Sequence, residues 1–417
     1  MHIIFYNKHV DKKTSKLFSD FVSIQSVSTD PSRHGEILKA VEFLKKELKS
    51  IGFEVKTYQK DNCPPLIIGI CKPASAKAPA RRGKTLGIYA HYDVQPEDPI
   101  GEWDSPPFKL VSKNGKLFGR GVADDKGHII QILVAIKKLI ETGKLENNIV
   151  LIFEGEEETG SVNFEYLINQ AKQDLKKINV FYVLDMGMET SNQPEIFYGL
   201  KGLIGFGIEV RTNKQDLHSG VYGNKADNPI QILAELFSKI KDSRTNKILI
   251  PHFYDKVKFS LHPSFDIHGI TGGYAGKGIK TIIPAMAHAK FSFRLIEDQN
   301  PDEIEKLVSD FIRENIPKGV EYTLKTLGKL NPFYADINNK YVKETDKIFT
   351  EIFGKKTLFK RSGGSIGATS TLAKIFKKPL ILTGFTLSDC NIHSPNENVD
   401  EEMFEKGIKA LERIFSL

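Results

Sequence analysis

The hydrophobic positions change period along the chain, and those changes mark its elements. Leu17, Phe18, Phe21 and Val22 recur at helical spacing, as do Ile37, Val41, Phe43, Leu44 and Leu48, with Gly52 as a natural stop. Phe53–Tyr58 and Leu66–Ile70 read as strands. Lys72–Lys84, rich in Pro, Ala and Lys, reads as a loop. Thr85–Ala90 is then a short apolar run ending in a polar cluster, the pattern of a buried parallel strand. A repeating unit follows. A helical stripe through Ile129, Ile132, Leu133, Ile136, Leu139 and Ile140 closes at Gly143. Ile149–Phe153 reads as a strand, Val162–Ala171 as a helix and Val180–Leu184 as a strand. Such alternation predicts an α/β fold, a mostly parallel sheet flanked by helices with right-handed connections.

From about Leu200 the pattern changes. Leu203–Val210 reads as a strand, Ile230–Ile240 as a helix, and Ala287–Ile296 as a strand with alternating Phe291 and Phe293. Asn300-Pro301-Asp302-Glu303 has the form of a helix start, with Asn as cap and Pro at the first position. That helix runs to about Ile316, before a strand at Tyr322–Leu327. This β-α-β-α-β block predicts a smaller α+β domain, ferredoxin-like, inserted in the first. The remainder returns to a helix at Tyr341–Phe353, a Gly-rich loop at Arg361–Gly367, a helix, a strand at Leu380–Leu382 and a last helix at Glu402–Phe415. The expected organisation is one domain made of residues 1–200 and 329–417, interrupted by a second at residues 201–328.

Composition adds exclusions. The 417 residues suit two or three domains at ~100–200 residues each. Lys+Arg 59 against Asp+Glu 52 leaves +7, but no basic run concentrates it, so charge makes no case for nucleic acid or a membrane surface. No stretch approaches the ~20 apolar residues that span a bilayer, and Ile3–Tyr6 is too short for a signal peptide core. Cys63, Cys71 and Cys390 are too few for a disulfide framework and favour a reducing, cytoplasmic setting.

In open α/β sheets ligands sit beyond the carboxyl ends of the strands, and polar clusters fall there. His91-Tyr92-Asp93 follows the Thr85–Ala90 strand; a ligand His needs its far nitrogen held, and an Asp two residues on can hold it. Asp124-Asp125 open the helical stripe behind Gly119-Arg120-Gly121, where a helix cap and dipole complement is the better explanation of the motif taken alone. Glu154-Gly155-Glu156-Glu157-Glu158 follow the next strand. Crowded carboxylates need water or cations, so this is either a solvated acidic loop or a metal ligand beside a general base. Asp185 ends a further strand and His393 follows the last. Each has an ordinary explanation alone; together, at one edge of one sheet, they point to metal chemistry. Other signals fall away. Gly276-Lys277-Gly278 lacks the remaining residues of a phosphate loop. Cys390 reads as packing more readily than as a nucleophile. His252, His262, His268 and His288 have no ligand spacing.

In order, these segments are His91 to Pro96, Trp103 to Phe108, Gly119 to Gly127, Glu154 to Gly160, His218-Ser219-Gly220, Arg361 to Ser365, and His393-Ser394-Pro395-Asn396-Glu397. As a set they resemble the di-zinc aminoacylase/carboxypeptidase family of metallopeptidases, which is glutamate carboxypeptidase-like. The likeness is closest to its cytosolic non-specific dipeptidase/carnosinase branch, from about residue 10 to the C-terminus. The resemblance implies that Asp124 bridges two metals, with His91 and Asp185 completing one site and Glu158 and His393 the other. It makes Glu157 the general base and Asp93 the residue behind His91. It implies two Zn2+ per subunit, Mn2+ or Co2+ being able to replace them. The inserted domain becomes a lid and dimerisation domain, whose His218 serves a partner subunit's site in a homodimer by stabilising an oxyanion. Arg294, with Gly364 and Ser365, would take the substrate's terminal carboxylate. Without the family, His218 is a surface-loop residue, Arg294 a strand residue paired with Glu297 or Asp298, and Gly363–Ser365 an ordinary turn. Glu156 departs from the branch, which often has an apolar residue there, and adds charge near Glu157.

The expected activity is hydrolysis of dipeptides or short peptides with a free C-terminal carboxylate. An N-acyl-amino-acid deacylase or desuccinylase needs the same metals and base. A non-catalytic binding protein on the same scaffold is the alternative of another class.

Overall fold

The computed structural model describes residues 10–73, 83–257 and 262–416. The apolar run Ile3–Tyr6 and most of the loop expected at Lys72–Lys84 lie outside the described residues. The chain forms two compact units. One is built from the described residues up to Tyr198, from Ala335–Arg361 and from the described residues from Ile366 onward; the other comprises Gly199–Tyr334 and Ser362–Ser365.

The sheet of the first unit runs, in spatial order, Glu54–Tyr58, Leu66–Cys71, Asn148–Glu154, Thr85–His91, Val180–Leu184, Leu380–Thr383, and then the strand begun at Glu195. Its centre is parallel: Asn148–Glu154, Thr85–His91, Val180–Leu184 and Leu380–Thr383 pair in one direction. Its edges are antiparallel. The sheet is therefore mixed, and the short link from Tyr58 to Leu66 explains one edge, because a parallel pair needs a crossover of a dozen or more residues. The helix Lys126–Glu141 is buried almost all round. It lies among the Thr85–His91 strand and the helices Lys12–Val22 and Glu401–Phe415, so its apolar stripe is wide. Phe18 stacks on Phe404 at 5.3 Å, tying the first helix to the last.

The second unit is β-α-β-β-α-β. Its strands lie in the order Ser264–Gly272, Met286–Leu295, Gly202–Arg211, Glu321–Leu330, all antiparallel, which is the ferredoxin-like arrangement. Helices Pro229–Ile240 and Pro301–Asn315 pack on it. Asn300 Oδ1 caps the second helix by accepting the Asp302 N–H at 2.8 Å. Phe206, Phe265, Phe291 and Phe293 form its aromatic centre. Ser264–Gly272 is absent from the periodicity reading because it is an edge strand: past Phe265 its residues are exposed and show no apolar alternation. No described helix is long and apolar enough to cross a membrane.

Candidate metal centre

Four parallel strands end on the same side of the sheet, and the chain leaves each one through a polar segment. His91 is the last residue of its strand, the acidic turn Glu157–Thr159 follows Glu154, and Asp185 follows Leu184. The segment after Thr383 runs on to His393. Asp124 stands between the histidines: Oδ1 is 2.8 Å from His91 Nε2 and Oδ2 is 3.0 Å from His393 Nε2. Asp185 Oδ1 is 3.6 Å from His91 Nε2, and Glu158 Oε2 is 3.1 Å from His393 Nε2. Two donor clusters result, His91 with Glu157 and Asp185, and Asp124 with Glu158 and His393. Within each, the donor atoms lie within 4.8 Å of one another. The five residues expected as ligands, and Glu157 with them, thus occupy one place.

Buried neighbours aim these groups. His91 Nδ1 lies 3.0 Å from the Asp93 carbonyl oxygen and 3.3 Å from its carboxylate. A carbonyl only accepts, so a neutral ring carries its proton on Nδ1 and turns the Nε2 lone pair toward Asp124 and Asp185. The Asp93 carboxylate has further partners: the N–H groups of Glu157 (3.2 Å) and Glu158 (3.1 Å) and the Ser28 hydroxyl (2.6 Å). Asp93 therefore shapes the acidic turn as well as holding the ring. That turn closes at Gly160, whose φ of 88° suits glycine. Glu156 is turned away from the centre. Its carboxylate accepts the Asn163 N–H at 3.1 Å and the Asn163 side-chain amide at 2.9 Å, ahead of the helix Phe164–Leu175. Asp185, Asp124 and Glu158 are the anions that raise Glu157 most, while the Glu156 carboxylate is engaged at a helix start.

Several supporting residues escaped the sequence reading. Glu397, fully buried, accepts the N–H groups of Gly121, Ala123 and Asp124 and pairs with Arg120. Its signal was its place at the end of the His393–Glu397 run. Gln95 donates to Glu158 Oε2 at 2.7 Å. Asp125 does not cap its helix; its carboxylate takes the His91 N–H and the ring of His128. Lys126 donates to the carbonyls of Phe21 and Ile24, and its burial brings it down to about 7.

The electrostatics call for cations. Burial pushes Asp185 up to about 7, and burial with the neighbouring anions raises Glu157 well above the carboxylate range and lifts Glu158. Burial works against charge on His91 and on Asp124. Hydrogen bonds to Asp124, Asp185 and Asp93 nevertheless hold His91 well above free imidazole, and those from His393 and His91 hold Asp124 low. Hydrogen bonds to Asp124 and Glu158 raise His393 to about 10. Glu158 Oε1 is buried without a hydrogen-bond partner. A surplus of carboxylates, two imidazoles and an orphaned acceptor oxygen make a donor set that fits divalent metal ions. Burial lifts Cys390 to about 11, so its thiol stays neutral and packs. Beside Asp124 and Asp185 opens a cavity of about 510 Å3, with Met186, Met188, Phe197 and Leu387 in its walls.

The remaining expected residues lie in the second unit. His218 is exposed, and its Nδ1 accepts the Gly220 N–H at 3.1 Å. Arg294 Nη1 donates to Ser365 Oγ at 2.8 Å, and Ser365 donates to the Lys201 carbonyl at 2.5 Å. The Gly364 carbonyl accepts the Lys201 N–H at 3.1 Å. Arg294, Gly364 and Ser365 thus form one cluster around Lys201.

A parallel sheet centre at whose carboxyl end two histidines and three carboxylates gather with Glu157 is the framework of a metal-dependent hydrolase. The chain belongs to peptidase family M20/M25/M40, whose family model matches residues 87–416. It is 30% identical to the Cys-Gly metallodipeptidase dug1 of Schizosaccharomyces pombe, across 96% of this chain and 95% of that protein. It is 29% identical to the Beta-Ala-His dipeptidase of Homo sapiens, across 79% of this chain and 74% of that one. Among solved structures it is similar to the M20 family metallo-carboxypeptidase Sso-CP2 from Sulfolobus solfataricus, with a TM-score of 0.88, 26% identity and coverage of 98% and 99%. It is also similar to the di-peptidase Dug1p from Saccharomyces cerevisiae, with a TM-score of 0.85, 25% identity and coverage of 97% and 96%. The family and branch implied by the motifs are those found.

Proposed function

We propose that this chain is a metal-dependent dipeptidase acting on short peptides with a free C-terminal carboxylate, and that it holds two divalent ions per subunit, zinc or else manganese or cobalt. The observation that carries the reading is the position of Asp124 between His91 and His393, with half-buried Glu157 beside them. His91 and Asp185 would hold one ion, Glu158 and His393 the other, and Asp124 both. Ions bound there supply Lewis acidity toward the scissile carbonyl and acidify the attacking water. Glu157 would accept a proton from that water and pass it to the leaving nitrogen. Asp93 holds the Glu157 backbone and the His91 ring in one arrangement.

The second unit supplies the remaining roles in this reading. His218 Nδ1 accepts a backbone N–H, which puts the ring proton of the neutral form on Nε2, free to donate to an oxyanion. It would do so in the site of a second copy, making the enzyme a homodimer. Arg294 and Ser365, with the Gly364 backbone, would receive the terminal carboxylate. The three cysteines are free thiols, in keeping with a cytoplasmic location. Relatives named as Cys-Gly and Beta-Ala-His dipeptidases favour a dipeptide over an N-acyl amino acid.

The test is metal content together with hydrolysis of a dipeptide panel beside N-acetyl and N-succinyl amino acids. Dipeptides should be cleaved, chelation should stop the reaction and Zn2+, Mn2+ or Co2+ should restore it. Turnover of the acylated amino acids alone would replace this reading with the deacylase one.

A further inference from the structure

Behind Asp124 lies a second buried acid that is not among the expected ligands. Asp125 Oδ2 accepts the backbone N–H of His91 at 3.0 Å. Its Oδ1 meets Nδ1 of His128, one turn along the helix Lys126–Glu141. The other ring nitrogen, Nε2, accepts the backbone N–H of Phe385 at 3.0 Å. An amide N–H can only donate, so Nε2 carries the lone pair and Nδ1 the proton that Asp125 accepts. The tautomer follows from the two partners. Asp125 is 0% exposed and His128 2%, so no water competes for these bonds.

The three bonds join three segments of the centre: the strand ending at His91, the helix beginning behind Asp124, and the segment that leaves Thr383 toward His393. The backbone at Gly384 is held close on two sides. A Cβ there would lie 2.9 Å from His128 Nε2 and 1.6 Å from the Met186 carbonyl oxygen, next to Asp185. His128 also borders the cavity beside Asp124 and Asp185.

We infer that His128 is a positioning residue of the metal centre: a neutral strut that fixes Asp125, and through it the backbone presenting His91, while seating the Gly384–Phe385 segment against Met186, the neighbour of Asp185. Both ring nitrogens are engaged within the protein, so His128 is not a ligand. The inference rests on the reading of His91, Asp124 and Asp185 as ligands, but its test needs no turnover.

Wild type, His128→Phe and His128→Asn are stripped of metal and titrated with Zn2+ against a chromophoric chelator. Partners behind metal ligands typically carry ~10–100-fold in affinity. His128→Phe, which leaves Asp125 Oδ1 and the Phe385 N–H unpaired, should still saturate with two ions but bind one of them weaker by about that factor. His128→Asn keeps a side-chain donor for Asp125 and should lose less. Nitrogen-15 NMR of the wild type should show His128 neutral with Nδ1 protonated. Wild-type affinity at both sites in His128→Phe, or a proton on Nε2, overturns the inference. If His128→Phe does not fold, the Asn variant and the wild-type NMR spectrum decide. A wild type that binds two ions yet cleaves no dipeptide would refute the proposed function and leave this inference to the affinities.

Discussion

Arg120 and Glu397 form a fully buried ion pair, Nη1 to Oε2 at 2.6 Å, directly beneath the loop that presents Asp124. The glutamate oxygens take four donors between them: Arg120 and the Gly121 N–H on Oε2, the Ala123 and Asp124 N–H groups on Oε1. Arg120 is fixed in turn by the Pro96 carbonyl at 2.9 Å and by the Trp103 ring at 5.2 Å. One C-terminal residue thereby sets the backbone that carries the central carboxylate.

Removing either partner strands a buried charge, which typically costs about 3–5 kcal/mol. Glu397→Gln is expected to lose stability on that scale and to weaken metal binding, because the Asp124 loop loses an acceptor charge. Chemical denaturation with and without metal measures both effects. An unchanged unfolding midpoint would show that the pair does not shape the loop.

Glu157→Gln keeps the size and most of the packing of the side chain but cannot carry the proton. Turnover of a dipeptide should fall by about 10²–10⁴-fold, with metal content near wild type, since the proposed ligands remain. Steady-state kinetics beside elemental analysis checks this. A comparable loss of metal would move Glu157 from base to ligand.

The metal-free centre should respond to pH with a definite sign. Asp185 titrates at about 7 in the folded chain, against 3.8 ordinarily, and Glu157 and Glu158 shift the same way. Such groups hold protons that the unfolded chain has already lost, so stability falls as pH rises from about 4 through about 7. His393, raised from 6.5 to about 10, contributes fully below 6.5 and loses that contribution as pH rises toward 10. Both trends have one direction; His128 and Lys126, held down by burial to about 4 and about 7, act the other way but are fewer. The chelated protein should melt at a falling temperature between about pH 5 and about pH 8, and Zn2+ should recover more stability at the upper end. Scanning fluorimetry measures it; a flat or rising apo profile would contradict the crowding of anions at the centre.

The parallel strands and their polar ends are legible in the sequence because short apolar runs break abruptly at His91, Glu154 and Asp185, and a buried strand cannot hide such a break. The ferredoxin-like unit is legible except for Ser264–Gly272, whose exposed edge has no apolar rhythm. The supporting contacts are legible least. Glu397 meets Arg120 only through the fold, and His128 sits inside an apolar helical stripe where its partner three residues back resembles a cap. Periodicity reports which face is buried, not which polar group waits there.

The cavity beside Asp124 and Asp185 is walled by Met186, Met188, Phe197 and Leu387. Dipeptides that place a Leu or Met side chain there should be better substrates than those offering Asp. Leu387→Asp should lower kcat/KM for the apolar substrates by about tenfold or more, a scale set by differences of a few methylenes in apolar pockets. Metal content should not change. Equal losses across the panel would remove the cavity from substrate selection.

The proposed dimer makes the strongest demand on the molecule. If His218 serves the site of the other subunit, a chain carrying Glu157→Gln retains a working His218 and a chain carrying His218→Ala retains a working Glu157. Each variant alone should be nearly inactive. Co-expressed in equal amounts, random pairing makes half the dimers mixed, each with one complete site, so about a quarter of wild-type specific activity should return. Assays of the purified mixture, with its mass measured in solution, check both parts at once. Recovery identifies His218 as a residue acting between subunits. A dimer without recovery would assign His218 to its own subunit's site, and a monomer would remove both assignments.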